Sequence, residues 1–385
     1  MASCCLLAIL IVSLNYRLYA NGCYTSIISF GDSLADTGSL KQLASISNKS
    51  YPSLHLPYGE TFFHQPTGRC SNGRLIIDFL AESLGLPFIP PFTNHKGIDG
   101  FVELGQGVNY AVAGATALNT SFLQAKGIQN PITNASLGVE LAWFQQSLPS
   151  LCRNTSDCKN VIGSSLILVG EIGGNDYNFP LVDEKSMAEI ESYVPFVIDI
   201  IASTINDLIA TGAQTLVVPG NLPVGCSPTY LSKRDFDKDE HDPTTGCLIR
   251  LNNFAEYHNQ LLQIKLHQIR EHHPDIVIIY ADYFNAAMQF YRSPEKFGFT
   301  NGALKACCGG GGPYNYNSSM KCGYGTATVC DQPNTYANWD GVHLTEAAYK
   351  IIFKSLFQGS YTTPPFNFVC PTLASHVKTE FSSYM

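Results

Sequence analysis

The feature that most constrains the fold is a series of short apolar runs, each of five or six residues, separated by longer amphipathic stretches. The runs are nearly continuous rather than alternating, which is typical of strands covered on both faces. They are Ser26–Phe30, 107–111, 166–170, Thr215–Pro219 and 276–281. Strand and helix in alternation predict an α/β fold: a three-layer α/β/α architecture with a central parallel sheet of about five strands.

The stretches between the runs have apolar residues at helical spacing and end at glycine or proline. The predicted helices are 74–84, Val194–Thr211, 248–273 and 345–357, the last with Thr345 as its N-cap. No linker separates two composition regimes, so a single domain over 23–385 is expected. The polar stretch 232–245 is interpreted as a solvated excursion, and the glycine run 309–312 as a flexible loop.

An apolar run at 6–14 is too short to span a bilayer but has the length of a signal-peptide core. Small residues at Ala20 and Gly22 place the cleavage there, so residues 1–22 are predicted to be a cleaved leader. The alternative is a buried N-terminal strand or helix. No later stretch is expected to cross a membrane, and integral membrane contact is therefore not predicted.

Composition agrees with export. Charged residues make up only 14% of the chain, the formal net charge is −8 and no basic run occurs, so nucleic acid is not an expected partner. Uncharged polar groups or sugar must then cover the surface. Sequons of the form Asn-x-Ser/Thr, the acceptors of N-linked glycan, stand at Asn48, Asn119, Asn134, Asn154 and Asn317.

The chain has 13 cysteines, more than is typical of a cytosolic enzyme. Loss of Cys4 and Cys5 with the leader leaves an odd number, so at least one cysteine is expected outside any internal disulfide. Cys152 with Cys158, and Cys226 with Cys247, are candidate pairs. Four more cysteines lie close together in the sequence, and their pairing cannot be assigned: Cys307, Cys308, Cys322 and Cys330. A metal cluster is the alternative to disulfides for these four.

Candidate catalytic residues follow the first predicted strand and precede the last predicted helix. Ser33 stands in the sequence GDSL (31–34), where a tight turn presents its hydroxyl and N–H at the edge of the sheet. Asp340 and His343 lie three residues apart, so the carboxylate can orient the imidazole and leave its other nitrogen for a serine proton. Taken alone, Ser33 also fits a helix-capping loop and His343 a polar surface. Together they indicate an activated nucleophile.

Serine attack on a carbonyl also needs donors for the developing oxyanion. Gly114 follows the second predicted strand and offers its N–H, and Asn175 follows the third and offers its side-chain amide. A packing glycine and a turn asparagine are the alternatives at these two positions. Because parallel strands present active sites at their carboxyl ends, the sequence predicts one site there.

GDSL at 31–34, Gly114, GGND at 173–176 and DGVH at 340–343 resemble the four blocks of the plant GDSL esterase/lipase family, within the SGNH hydrolases. The segments 57–63 and 67–74 resemble the branch with sinapine esterase and acetylajmalan (alkaloid) esterase. The resemblance implies Ser33 as nucleophile, His343 as base and Asp340 as the acid that orients it. It also implies an oxyanion hole of Ser33, Gly114 and Asn175, with no metal and no cofactor.

The expected activity is therefore hydrolysis of a small-molecule ester, with small-acyl or phenolic esters of plant specialised metabolites favoured. A monomer is expected, in the extracellular space or the vacuole. Two alternatives stay open: an acyltransferase that passes the acyl group to an alcohol, and a catalytically silent secreted binding glycoprotein. Other catalytic motifs are missing, because Ala35 replaces the second glycine of G-x-S-x-G and no H-E-x-x-H or G-x-x-x-x-G-K-[ST] occurs.

Overall fold

A computed structural model describes residues 23–92, 107–152, 154–233, 236, 238–357, 360–371 and 373. The predicted leader, including Cys4 and Cys5, lies outside them. The strands are β1 Ser26–Phe30, β2 Gly107–Asn109, β3 Ser165–Val169, β4 Thr215–Pro219, β5 Val277–Ala281, β6 Gly302–Ala306, β7 Cys308–Gly309, β8 Thr328–Val329, β9 Tyr336–Asn338 and β10 Thr362–Thr363.

The α-helices occupy the segments between the main strands and the end of the described chain. They are α1 Ser39–Ser47, α2 Ile76–Ser83, α3 Thr120–Ala125, α4 Leu137–Leu151, α5 Thr155–Gly163, α6 Gly174–Val182, α7 Met187–Glu191, α8 Val194–Thr211, α9 Pro228–Leu231, α10 Ile249–His272, α11 Tyr283–Arg292, α12 Glu346–Phe357 and α13 Phe366–Val369. The four helices predicted from sequence are confirmed with ends within two residues. Thr345 caps α12, because its Oγ1 accepts the N–H of Ala348 at 3.2 Å.

In the described chain the central sheet has six strands in the order β10-β5-β4-β3-β1-β2. The five predicted strands are present and pair in parallel. The sixth, β10, corrects the prediction of about five: it is two residues long and pairs antiparallel with β5 at the edge. A strand this short carries no periodicity that a sequence can show. Strand β2 is also shorter than predicted and ends at Asn109.

Helices cover both faces of the sheet, which confirms the three-layer α/β/α architecture. Ile28 and Phe30 of β1 point into the core formed with α4, α8 and α10, and Ile27 points into the opposite core, formed with α2, α11 and α12. All five β1 residues are buried, as its continuous apolar sequence requires. The carboxyl ends of β1, β2 and β3, which are neighbours in the sheet, meet at one edge, where Ser33, Gly114 and Asn175 follow them.

One stretch departs from the expectation about membrane helices. Met187–Thr211 is long and apolar enough, by length and composition alone, to cross a bilayer. In the fold, Val197, Ile201 and Ile205 of α8 are buried in the core, while Phe196 is exposed. The burial of one face accounts for much of this apolarity, as in the core helix of an α/β protein.

Five disulfides join the described cysteines, and Cys70 is the one described cysteine outside them. The two predicted pairs and the expected unpaired cysteine are confirmed. The pairs are Cys23–Cys370, Cys152–Cys158, Cys226–Cys247, Cys307–Cys330 and Cys308–Cys322. Since the crowded cysteines are bonded to one another, their sulfurs are not metal ligands. Gly309 belongs to β7, so the glycine run is a loop only at 310–312.

Candidate active site

Ser33 lies in the tight turn that follows β1 and is partly exposed. Gly31 allows this turn, because its φ is +144° and a Cβ there would meet the carbonyl oxygen of Gly170 at 2.8 Å. The Gly31 N–H donates to Oε2 of the buried Glu140 at 2.8 Å. The turn is therefore held against both β3 and α4.

The structure brings Ser33, His343 and Asp340 into one hydrogen-bonded line. His343 Nε2 lies 2.8 Å from Ser33 Oγ, and His343 Nδ1 lies 2.8 Å from Asp340 Oδ2. This pattern fits the tautomer in which Nδ1–H donates to Asp340 and Nε2 accepts the serine proton. Residues separated by more than 300 positions in the sequence thus form the arrangement that activates a serine hydroxyl.

Asp340 and His343 shift each other's pKa values in opposite directions. Burial by itself raises the pKa of Asp340, but the His343 charge and hydrogen bonds from His343 and Val342 outweigh burial and lower that pKa to about 2. Burial by itself would lower the pKa of His343. The neighbouring Asp340 has a larger effect in the opposite direction, so the pKa of His343 lies well above its ordinary value. An anionic Asp340 beside a basic imidazole is the charge pattern that a general base requires.

The two predicted donors, Gly114 and Asn175, lie beside Ser33. Asn175 Nδ2 donates to the Ala115 carbonyl at 3.0 Å and to Asp32 Oδ2 at 3.3 Å, so its amide spans the loops that carry Gly114 and Ser33. The Gly114 carbonyl accepts from the Asn130 side chain at 2.8 Å, which fixes that peptide plane. Gly114 has a φ of +86°, a conformation that favours glycine.

No hydrogen bond from the backbone N–H of Ser33 or of Gly114 to another described residue is present. Neither N–H is therefore used by the backbone or side chains of the described residues. With the Asn175 amide, the two N–H groups provide the donors that an oxyanion hole needs. The role of these three groups as an oxyanion hole stays a prediction.

Buried carboxylates that the sequence analysis gave no role hold these loops together. Asp36 accepts four backbone N–H groups, and one of them is from Ala113, next to Gly114. Asp176 accepts the N–H groups of Ala117 and Leu118 at 2.8 Å. Asp176 stands inside the block GGND (173–176), and Asp36 follows the block GDSL (31–34) by two residues, which was the available signal. Their partners follow only from the tertiary fold.

The sequon asparagines lie at the surface: four are exposed and Asn317 is intermediate. Asn119 and Asn154 also cap α3 and α5 through Oδ1, which accepts a backbone N–H at 2.9 Å in each case. The atom that would carry a glycan, Nδ2, takes no part in those bonds. These positions are sterically compatible with modification.

A family model and several known proteins match most of this chain. The family model described as GDSL-like Lipase/Acylhydrolase matches residues 27–356. A GDSL esterase/lipase of Arabidopsis thaliana is 51% identical over 93% of this chain and 89% of its own length. A second from the same plant is 50% identical over 97% of this chain and 91% of its own.

Among solved structures, a phospholipase A1 from Streptomyces albidoflavus NA297 is 12% identical, with a TM-score of 0.34, over 85% of this chain and 95% of that one. This likeness is too distant to bear on activity. The match to the family model covers most of the chain, including every block discussed above. The chain belongs to the GDSL esterase/lipase family of carboxylic ester hydrolases.

Proposed function

We propose that the protein is a serine esterase that cleaves carboxylic esters through an acyl-enzyme on Ser33. The observation that supports this most strongly is the pair of 2.8 Å contacts joining Ser33, His343 and Asp340. As Ser33 Oγ attacks the ester carbonyl, His343 Nε2 takes its proton, and Asp340 stabilises the imidazolium. His343 then protonates the departing alkoxide, and the acyl group remains on Ser33.

The second half of the reaction uses the same groups. A water molecule gives a proton to His343 and its oxygen attacks the acyl carbonyl; the bond to Ser33 Oγ breaks and that oxygen recovers the proton from His343. In both halves the carbonyl oxygen becomes negative and accepts from the N–H groups of Ser33 and Gly114 and from Asn175. The Asn175 amide has two acceptors in the structure, and Asp32 is the more distant one. We infer that the negative oxygen of the substrate takes the place of Asp32.

Asp32 suits a position beside a developing negative charge. Burial raises its pKa to about 8, and the nearby charge of Glu171 adds to the rise. Near neutral pH the Asp32 side chain is then mostly protonated and adds no charge that would oppose the oxyanion. The Ala115 carbonyl keeps the Asn175 amide aimed while the second amide hydrogen is released.

For the substrate we propose small-acyl or phenolic esters of plant specialised metabolites, for example acetylated alkaloids. The support is the resemblance of segments 57–63 and 67–74 to the branch with sinapine and acetylajmalan esterases. Tyr58, in the first segment, contacts Asp340. Hydrolysis of a panel of acetylated alkaloids, choline esters and triglycerides tests the proposal, and preference for triglycerides would contradict it.

We also propose that residues 1–22 are removed on export and that 23–385 form one domain, acting as a monomer outside the cell or in the vacuole. The leader, the surface sequons and the five disulfides support export. Mass spectrometry of plant-expressed protein should find an N-terminus near residues 21–23 and glycan on several sequons. An intact, unglycosylated Met1 chain would contradict it.

The activity is tested with purified protein and a chromogenic short-chain acetate. The wild type should release the chromophore, and Ser33→Ala should not. Equal rates for both would refute the role of Ser33, and inactivity of both would favour the binding glycoprotein. Addition of alcohol acceptors separates hydrolysis from acyl transfer, because a transferase gives the new ester in place of free acid.

A further inference from the structure

We propose that Tyr58 is a positioning residue of this reaction: it fixes the Asp340 carboxylate and sets the pH range over which His343 accepts the Ser33 proton. The inference rests on the proposed function of Ser33 and extends it to a residue of segment 57–63, outside the four family blocks. It is carried by a direct contact with Asp340.

Tyr58 is buried, with 3% of its surface exposed, and its hydroxyl donates to Asp340 Oδ2 at 2.7 Å. The same oxygen lies 2.8 Å from His343 Nδ1. The tyrosine ring packs edge-on against Trp339, with ring centroids 5.8 Å apart. Tyr58 therefore contacts both the Asp340 carboxylate and the residue directly before it in the chain, Trp339.

The Tyr58 hydroxyl and His343 Nδ1 both donate to the same oxygen, Asp340 Oδ2. A hydrogen bond from Tyr58 stabilises the carboxylate and weakens the pull of Asp340 on the imidazolium of His343. Burial, and then the charge of Asp340, raise the pKa of Tyr58 well above its ordinary value, so the hydroxyl remains a donor throughout the working pH range. Tyr58 should therefore keep His343 in its neutral, proton-accepting form at lower pH than Asp340 alone would allow.

Other titratable groups also face this pair and must be considered in any pH measurement. Cys70 contacts the His343 side chain, Asp32 interacts with the charge of His343, and the charge of Asp340 acts on two buried or half-buried tyrosines. Together with Cys70 they come from four neighbouring segments: Asp32, Cys70, Tyr316 and Tyr349. Tyr58→Phe leaves all of them in place, and repeating the comparison in a Cys70→Ala background separates the thiol from the phenol.

The test compares kcat/KM against pH for wild type, Tyr58→Phe and the control Tyr110→Phe, with a chromogenic acetate as substrate. Tyr110 is also buried and loses an equivalent hydrogen bond, to Ser147 Oγ at 2.6 Å, in another part of the core. In Tyr58→Phe the acid limb should move to higher pH and the plateau of kcat should fall about tenfold. In Tyr110→Phe the limb should stay at the wild-type position.

An acid limb that stays in place in Tyr58→Phe, with a loss of thermal stability like that of Tyr110→Phe, would show a merely structural role. If Tyr58→Phe does not fold, a ring-fluorinated tyrosine at position 58 replaces it. This stronger donor should move the limb to lower pH, and an unmoved limb refutes the inference. Activity retained by Ser33→Ala would instead refute the proposed function, so the two failures are distinguishable.

Discussion

Replacing Asp36 by asparagine tests how the loop that carries Ser33 is held. Asp36 is completely buried, and its carboxylate accepts four backbone N–H groups at distances from 2.6 to 3.0 Å. Three of these groups open helix α1, and the fourth, from Ala113, immediately precedes Gly114. One side chain therefore ties the loop that carries Ser33 to the loop that carries Gly114.

The cost of Asp36→Asn follows from how the four bonds are divided. Oδ1 accepts two of the N–H groups and Oδ2 accepts the other two. An asparagine keeps one oxygen and turns the other into an NH₂ group, so in either orientation two buried donors face a donor. An unpaired buried donor costs about 1–3 kcal/mol, and two give about 2–6 kcal/mol. That is a large part of the roughly 5–15 kcal/mol by which proteins are stable.

Urea denaturation followed by tryptophan fluorescence, with the disulfides intact, measures this loss. The matched control is Asp199→Asn, because the Asp199 side chain is 64% exposed and its ion pair with Lys265 is worth at most about 1 kcal/mol. Asp36→Asn should also lower kcat, since both loops lose their common anchor. A free energy of unfolding within about 0.5 kcal/mol of the wild type would refute the reasoning.

Three further predictions concern the donor, the base and the termini. Asn175→Ala should lower kcat by about 10²–10³, or about 3–4 kcal/mol, with an unchanged circular dichroism spectrum; an unchanged kcat would remove Asn175 from the site. Burial lowers the pKa of His343, but the effect of Asp340 is larger and leaves that pKa above the ordinary histidine value of about 6.5. We therefore expect kcat/KM to rise with pH through one ionisation above that value. In Asp340→Asn that limb should move to lower pH with a smaller plateau; steady-state rates across pH decide, and a limb at the wild-type position would contradict it. Replacing Cys23 and Cys370, whose disulfide joins residues 347 positions apart, by serine should cost about 4 kcal/mol, and an unchanged urea midpoint would contradict this.

The sequence predicted the sheet well because its central strands are buried on both faces. Ser26–Phe30 and Thr215–Pro219 were predicted with their observed bounds, since a continuous apolar run ends where burial ends. Strand β10 could not be predicted, because its two residues have no period and its pairing depends on the position of β5. The adjacent Cys307 and Cys308 could not be assigned partners, since only the fold distinguishes one cysteine from the next.

The site divides in the same way. Ser33, Asn175 and His343 could be located because each lies in a short motif beside a predicted strand or helix. The roles of Tyr58 and Asp36 could not be predicted, since a tyrosine and an aspartate in a loop have many possible partners. Their roles depend on which backbone and side-chain groups the folded chain places within 3 Å of them.

The identity of the nucleophile is tested most directly by reaction with a fluorophosphonate followed by peptide mapping in a mass spectrometer. We predict a single adduct on Ser33, absent from Ser33→Ala and formed far more slowly by His343→Ala. The two substitutions combined should cost little more activity than either alone, because residues that act as a unit lose their effect together. An adduct on another residue, or full ester hydrolysis by Ser33→Ala, would contradict the proposed mechanism.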